Sequence, residues 1–212
     1  MTTAIRLALP TGRIFDETVE LLTRSGFALP DDVREARKLH VSNGRDQSSV
    51  LVKDRDVPTY VEHGVVDAGI VGNDVLAETN PDVYQPLDLR IGRCQMVVAR
   101  HQNQRPGGYR DLPLVRVATK YPEVASRYFH GQGIPVEVII LSGSVELAPV
   151  LGLADCIVDL VQTGKTMAAN GLEIDEVLFE STARLIINRA SFRLKGRVLG
   201  EFVASLASEV EQ

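Results

Sequence analysis

The chain has no tryptophan, few aromatic residues of any kind and only two cysteines in 212 positions, and these shortages exclude whole classes of protein. Cys94 and Cys156 both lie inside apolar runs (RCQMVVA and DCIVDLV), the setting of buried thiols that behave as small hydrophobes, so a disulfide framework is excluded. No run reaches the ~18 apolar residues that a membrane span needs. The opening MTTAIRLALPTGR is broken by Pro10 and Gly12 and is too short for a signal-peptide core. A cytoplasmic protein with no membrane partner is expected. A basic excess is missing too: 23 Lys+Arg stand against 28 Asp+Glu, a net charge of -5, so no nucleic-acid partner is expected.

What is present is globular. A hydrophobic share of 44% beside 24% charged residues argues against a disordered or fibrous chain. At roughly 150 residues per domain, the length corresponds to about 1.4 domains, one large or two small.

Short apolar runs alternate with amphipathic stretches throughout, the pattern of an α/β protein. IRLAL (5–9) reads as a strand and Thr11-Gly12-Arg13 as a tight turn. Ile14 to Arg24 reads as a helix with Ile14, Val19, Leu21 and Leu22 on one face. SVLVK (49–53), a helix through VPTYVEHG, DAGIVG (67–72) and a helix around Asn73 to Glu78 follow. Past Pro86 the pattern restarts with CQMVVAR (94–100), VRVAT (115–119), a helix from Pro122 to Gln132, VEVIIL (136–141), a helix around Val145 to Leu151 and CIVDLV (156–161). The polar loop at 101–111 reads as a hairpin tip, because no other composition shift accompanies it. ARLIINR (183–189) reads as a last strand. After it, Leu199, Phe202, Val203, Leu206 and Val210 recur at three- and four-residue steps, the buried stripe of a helix. The expected division is a first α/β lobe over 1–90, to which 180–212 return, and a second over 91–179.

The sharpest chemical feature runs from Cys156 to Met167. An apolar strand delivers Asp159 near its end, and Gly164, set between Thr163 and Thr166 with Lys165, leads into a helix-prone stretch. Such a loop aims N–H groups and hydroxyls at a phosphate, and a carboxylate just upstream is placed to accept hydrogen bonds from sugar hydroxyls. A Walker A loop needs Gly five residues before Gly164, where Asp159 stands. The alternative is that these threonines cap a helix. Arg13 follows a Gly turn at the end of the first strand, a frequent ligand position in open α/β sheets, or is an ordinary exposed arginine. Arg37, Lys38, Lys53 and Arg55 make a locally basic stretch suited to a polyanion, or a solvated face. His63 precedes Gly64 at a helix end and reads as a cap rather than a catalyst. No His/Cys pair has metal-ligand spacing. Gly143-Ser144 does not form G-x-S-x-G, so a hydrolase has little behind it.

Five segments occur together in one family. Ala8-Leu9-Pro10-Thr11-Gly12-Arg13, residues 56–64 (DVPTYVEHG), Asp67 through Asp74, Ala118-Thr119-Lys120-Tyr121-Pro122 and Glu146 through Met167 resemble, in order and over nearly the whole chain, the ATP phosphoribosyltransferases of histidine biosynthesis. The resemblance implies a two-lobed α/β fold like type II periplasmic binding proteins, with the active site in the inter-lobe cleft. It implies condensation of ATP with 5-phosphoribosyl 1-pyrophosphate, with Mg2+ held by the substrate phosphates rather than by protein side chains. By position it makes Arg13, Glu146 and Asp159 the catalytic residues. Phosphoribosyl pyrophosphate would be held by Glu146, Asp159, Gln162, Thr163, Gly164, Lys165 and Thr166, and ATP by Arg13, Arg37, Gly72 and Asp74. The family's first loop commonly reads L-P-K-G-R; here Thr11 takes the lysine's place, with Lys53 or Arg55 as compensating cations. The chain's length matches the short form of the enzyme, which works with a histidyl-tRNA-synthetase-like regulatory subunit in a hetero-oligomer, expected as a hetero-octamer. A solute-binding module and a phosphoribosyltransferase using another base are the competing readings.

Overall fold

In a computed structural model, residues 4–27, 29, 40–42, 47–103 and 108–211 are described. The fold is α/β. The chain forms two compact units, Met1–Gly92 with Thr182–Gln212, and Arg93–Ser181.

The first unit runs β1 (Ile5–Thr11), α1 (Phe15–Arg24), β2 (His40–Ser42), β3 (Gln47–Lys53), α2 (Val57–Glu62), β4 (Ala68–Gly72), α3 (Asn73–Thr79) and β5 (Tyr84–Asp88). The second contains β6 (Cys94–His101), β7 (Val115–Thr119), α4 (Pro122–Gly131), β8 (Val136–Ile140), α5 (Leu147–Val150), β9 (Cys156–Val161), α6 (Lys165–Ala169) and β10 (Leu172–Ser181). The chain then returns to the first unit through β11 (Ala183–Ile187), α7 (Arg189–Leu194) and α8 (Gly196–Val210).

The first sheet has the order β2-β3-β1-β4-β11-β5. β1 is parallel to β3 and β4, and β11 is antiparallel to β4 and β5. Side chains alternate across its strands. Leu7, Leu9, Ile70 and Leu185 join a core with Leu21 and Leu22 of α1 and Leu199, Phe202 and Leu206 of α8. Ala8, Val71 and Ile186 face the other way, into a core with Val57 and Val61 of α2 and Val75 and Leu76 of α3. Helices therefore cover both faces, which is why these strands are apolar at nearly every position. α2 ends at His63, as its sequence suggests, and Gly64 follows at φ 68°.

The second sheet has the order β10-β6-β9-β7-β8, with β7 parallel to β8 and β9 and β6 antiparallel to β9 and β10. The 101–111 segment is therefore not a hairpin tip. Its flanking strands β6 and β7 are separated by β9, and Gly108–Asp111 forms a turn of 3-10 helix. The helix expected over Val145 to Leu151 is confined to Leu147–Val150. Cys94 and Cys156 are free and buried. β10, an edge strand, is pinned by ionic contacts: Asp175 accepts hydrogen bonds from Tyr109 Oη (2.9 Å), Arg100 Nε (3.1 Å) and Arg110. No described helix is long and apolar enough to cross a membrane.

The returning segment is fastened by Asp67, just before β4 and 1% exposed. Its carboxylate accepts from the Arg6 N–H (2.9 Å), Ser191 Oγ (2.8 Å) and Lys195 Nζ (2.8 Å). Burial alone would raise this carboxyl, but those three donors and the lysine charge outweigh it and hold it below the usual carboxylate range. Removing one partner of a buried ion pair leaves the other uncompensated, so Asp67→Ala is expected to cost about 3–5 kcal/mol in urea unfolding followed by circular dichroism. Because the folded carboxyl is the stronger acid, its stabilisation is complete above the ordinary carboxylate range and fades as pH falls through the lowered value. Asp67→Asn should flatten that acid limb; an unchanged pH profile would refute the assignment.

Candidate active site

In the second unit, β9 carries Asp159 near its C-terminal end and passes into the turn that starts α6. Glu146, Gln162, Thr163, Gly164, Lys165 and Thr166 line one pocket of about 210 Å³, closed on its apolar side by Val161 and Met167. Gly164 has φ 71°, a left-handed conformation that costs an L side chain about 1–2 kcal/mol. The capping alternative fails: the N-cap of α6 is Gly164 itself, and no side chain makes a capping hydrogen bond there. Thr163 and Thr166 are exposed and line the pocket. Glu146 immediately precedes α5, after a turn in which Ser144 takes φ 48°.

Asp159 is 7% exposed and accepts a hydrogen bond from the Leu160 N–H at 2.9 Å. Burial pushes its carboxyl above the usual carboxylate range and the Glu146 charge adds to the rise, against the opposing pull of the Leu160 N–H and the Lys120 ammonium. The backbone around it is fastened by Thr119, fully buried, whose Oγ1 donates to the Val158 carbonyl (2.6 Å) and accepts from the Tyr121 N–H (2.8 Å). Neither Thr119 nor Lys120 stands out as a functional residue in the sequence. The signal is the A-T-K-Y-P segment, a threonine and a cation at the point where an apolar strand stops before a helix opening with proline.

A second group forms in the first unit. Thr11, Arg13, Ile14, Asp54, Gly72, Asp74 and Val75 line a small pocket of about 10 Å³. Arg13 is not a loose surface arginine: one guanidinium nitrogen donates to the Gly92 carbonyl and the other lies 3.8 Å from the buried Asp74 carboxylate. Asp74 folds back over Gly72, where any Cβ would overlap its carboxylate. Thr11 donates to the Val52 carbonyl (3.2 Å) and stands opposite Lys53 in the parallel β1–β3 register, so Lys53 is the cation next to the position where the family's loop commonly has lysine. Arg37 lies outside the described residues. Among the described residues no group of three or more His, Cys, Asp or Glu could hold a metal ion.

Two α/β units, one of them bearing a pocket lined by Gln162, Thr163, Gly164, Lys165 and Thr166, define a two-lobed protein of the periplasmic-binding type. The fold is shared with the periplasmic aliphatic sulphonate binding protein SsuA of Escherichia coli (TM-score 0.62, 13% identity, 98% of this chain and 72% of that one). The chain belongs to the ATP phosphoribosyltransferase family, whose model matches residues 53–211. It is 50% identical to the ATP phosphoribosyltransferase of Geobacillus kaustophilus over 98% of this chain and 99% of that one. It is 46% identical to that of Bacillus subtilis over 98% and 96%. The ATP phosphoribosyl transferase (HisG:HisZ) complex from Thermotoga maritima has a chain of the same fold, with a TM-score of 0.84, 34% identity and 98% coverage of both chains.

The charges around Asp159 have a measurable signature. Its carboxyl should titrate above the usual aspartate range in carbon-13 NMR, higher still in Lys120→Met and lower in Glu146→Gln. Insensitivity to both substitutions would mean that neither charge faces it.

Proposed function

We propose that this chain is a cytoplasmic pentosyltransferase that condenses ATP with 5-phosphoribosyl 1-pyrophosphate to N1-(5-phosphoribosyl)-ATP and pyrophosphate, the first step of histidine biosynthesis. The observation that carries this reading is the gathering of Glu146 and the 162–166 loop around one pocket of about 210 Å³ in a chain of this family. A bond forms between adenine N1 and ribose C1 while the C1–oxygen bond to pyrophosphate breaks, its electron pair leaving with the pyrophosphate. Gln162, Thr163, Gly164, Lys165 and Thr166 hold the 5-phosphate, Asp159 accepts the ribose hydroxyls, and Glu146 faces the ribose or its pyrophosphate side. Arg13, with Gly72 and Asp74 beside it, meets the nucleotide and pyrophosphate charges. Arg37 joins it on the resemblance alone. Because the Gly92 carbonyl and Asp74 already orient Arg13, its charge is in place before the barrier is climbed.

Mg2+, which commonly binds through substrate phosphate oxygens and keeps several waters, would be held by the substrate phosphates, since no group of three or more His, Cys, Asp or Glu among the described residues could hold it. Bound there, the ion would neutralise charge on the departing pyrophosphate. Adenine N1 is itself nucleophilic, so neither a protein nucleophile nor an obligatory general base is needed. The Thermotoga maritima neighbour is a HisG:HisZ complex. By extension, this chain works in a hetero-oligomer with a histidyl-tRNA-synthetase-like regulatory subunit.

Pyrophosphate release with ATP, phosphoribosyl pyrophosphate and Mg2+, with and without that subunit, tests the reading. ATP-dependent product is expected. Its absence under both conditions ends the proposal in favour of a solute-binding module, and activity with another base in place of ATP reassigns the acceptor. Asp159→Asn should lower kcat by about 100-fold, the scale of losing one preorganised electrostatic group. Wild-type kcat/KM for phosphoribosyl pyrophosphate should fall on acidification at a pH above the ordinary aspartate range, since the ionised carboxylate is the stronger acceptor for the ribose hydroxyls. Lys53→Ala should lower turnover and Thr11→Lys in that background should restore it; a double variant no better than the single would show that Lys53 does not stand in for the loop lysine.

A further inference from the structure

A cavity of about 480 Å³ opens on the first unit, lined by Tyr84, Arg189, Ala190, Phe192 and Arg193, none of which belongs to either group of site residues. Tyr84 of β5 and Phe192 of α7 present two tilted rings with centroids 5.0 Å apart. Both are exposed over more than a third of their surface, 44% and 36%. Arg189 and Arg193 border the rings. Arg189 is held by Asp82 at 2.7 Å while its side chain stays two-thirds exposed. On a chain with an acidic excess, two arginines around exposed aromatic rings make a local reversal of charge. Guanidinium groups favour carboxylates, and aromatic and arginine side chains dominate the energetic centres of protein interfaces.

The occupant is not an added strand. β5 forms the sheet edge, but it carries Pro86 and its pairing with β11 is interrupted by a register shift, so its edge is poorly suited to extension. A two-fold self-contact would need acids on this same face to meet its arginines, and Asp82 there is already paired with Arg189. We propose that the groove docks a segment of the regulatory subunit in which carboxylates flank an apolar anchor, the anchor seated on Tyr84 and Phe192 and the carboxylates paired with Arg189 and Arg193. This rests on the hetero-oligomer reading above.

The test is calorimetric titration of the full chain with the histidyl-tRNA-synthetase-like subunit of the same organism. Phe192→Ala and Arg193→Glu should each weaken binding by about 10-fold or more, the scale of losing an interface anchor. Arg193→Lys should recover much of that loss, and basal turnover of the isolated chain should be unchanged. Arg193 is a surface residue, so Arg193→Glu keeps the test meaningful even if Phe192→Ala fails to fold. Wild-type affinity in Arg193→Glu overturns the docking site and leaves the hetero-oligomer standing. No binding by the wild type removes both. Loss of self-association by Arg193→Glu without the subunit, read by light scattering, would assign the groove to a second copy and overturn the proposal.

Discussion

The buried carboxylate of Asp67 is the contact on which the first unit depends. This unit is made from two stretches of chain, and Asp67 receives donors from both: the Arg6 N–H at the start of β1, and Ser191 and Lys195 from the returning segment. Asn188 secures the same junction. It donates to the Val61 and Glu62 carbonyls at the end of α2, accepts from the Ser191 N–H, and gives its own N–H to the Asp67 carbonyl. With β11 held there, β4 has partners on both sides and α8 lays its stripe over the core.

Both groups of site residues lie where parallel strands end. Thr11 ends β1 and Arg13 follows it, Gly72 ends β4 and Asp74 lies in the first turn of α3, Lys120 follows β7, and the 162–166 loop follows β9. Open α/β sheets place ligands beyond the carboxyl ends of their strands. Here the geometry follows from hydrogen bonding: a strand's last carbonyls and the next helix's first N–H groups lack partners within their own elements, and a ligand can supply them. Thr119 and Asp74 turn two of those ends into fixed positions, one through its hydrogen bonds and the other by folding back over Gly72.

Legibility in the sequence followed burial. Strands β1, β6, β7 and β9 are covered on both faces and read as continuous apolar runs, so their presence was plain from composition alone. Among the edge strands β8 was equally plain, but β2, β5 and β10 were not. β5 contains Pro86, and β10 has two register shifts that break its alternation and carries Glu173, Asp175, Glu176 and Glu180 among its apolar residues. Those acids are acceptable in a strand because arginines from distant parts of the chain meet them, Arg100 and Arg110 at Glu173, Asp175 and Glu176, and Arg93 at Glu180. The 101–111 loop was misread for the same reason, since the strand between its flanks comes much later in the chain. At the site, the turn around Gly164 was visible locally, whereas the part played by Thr119 and Lys120 exists only across adjacent strands.

The divided first unit also sets an order of assembly. On a ribosome, residues 93–181 emerge whole while β4 still lacks its β11 neighbour, and the contacts that supply it span more than a hundred residues. Such distant pairings form slowly, so the second unit can be complete while the first is still an open sheet with apolar strands uncovered, a state prone to aggregation. Thr182–Gln212 is thus the stretch that shuts a part of the chain made well before it. Damage confined to it should reach the cell as insolubility rather than as an impaired enzyme.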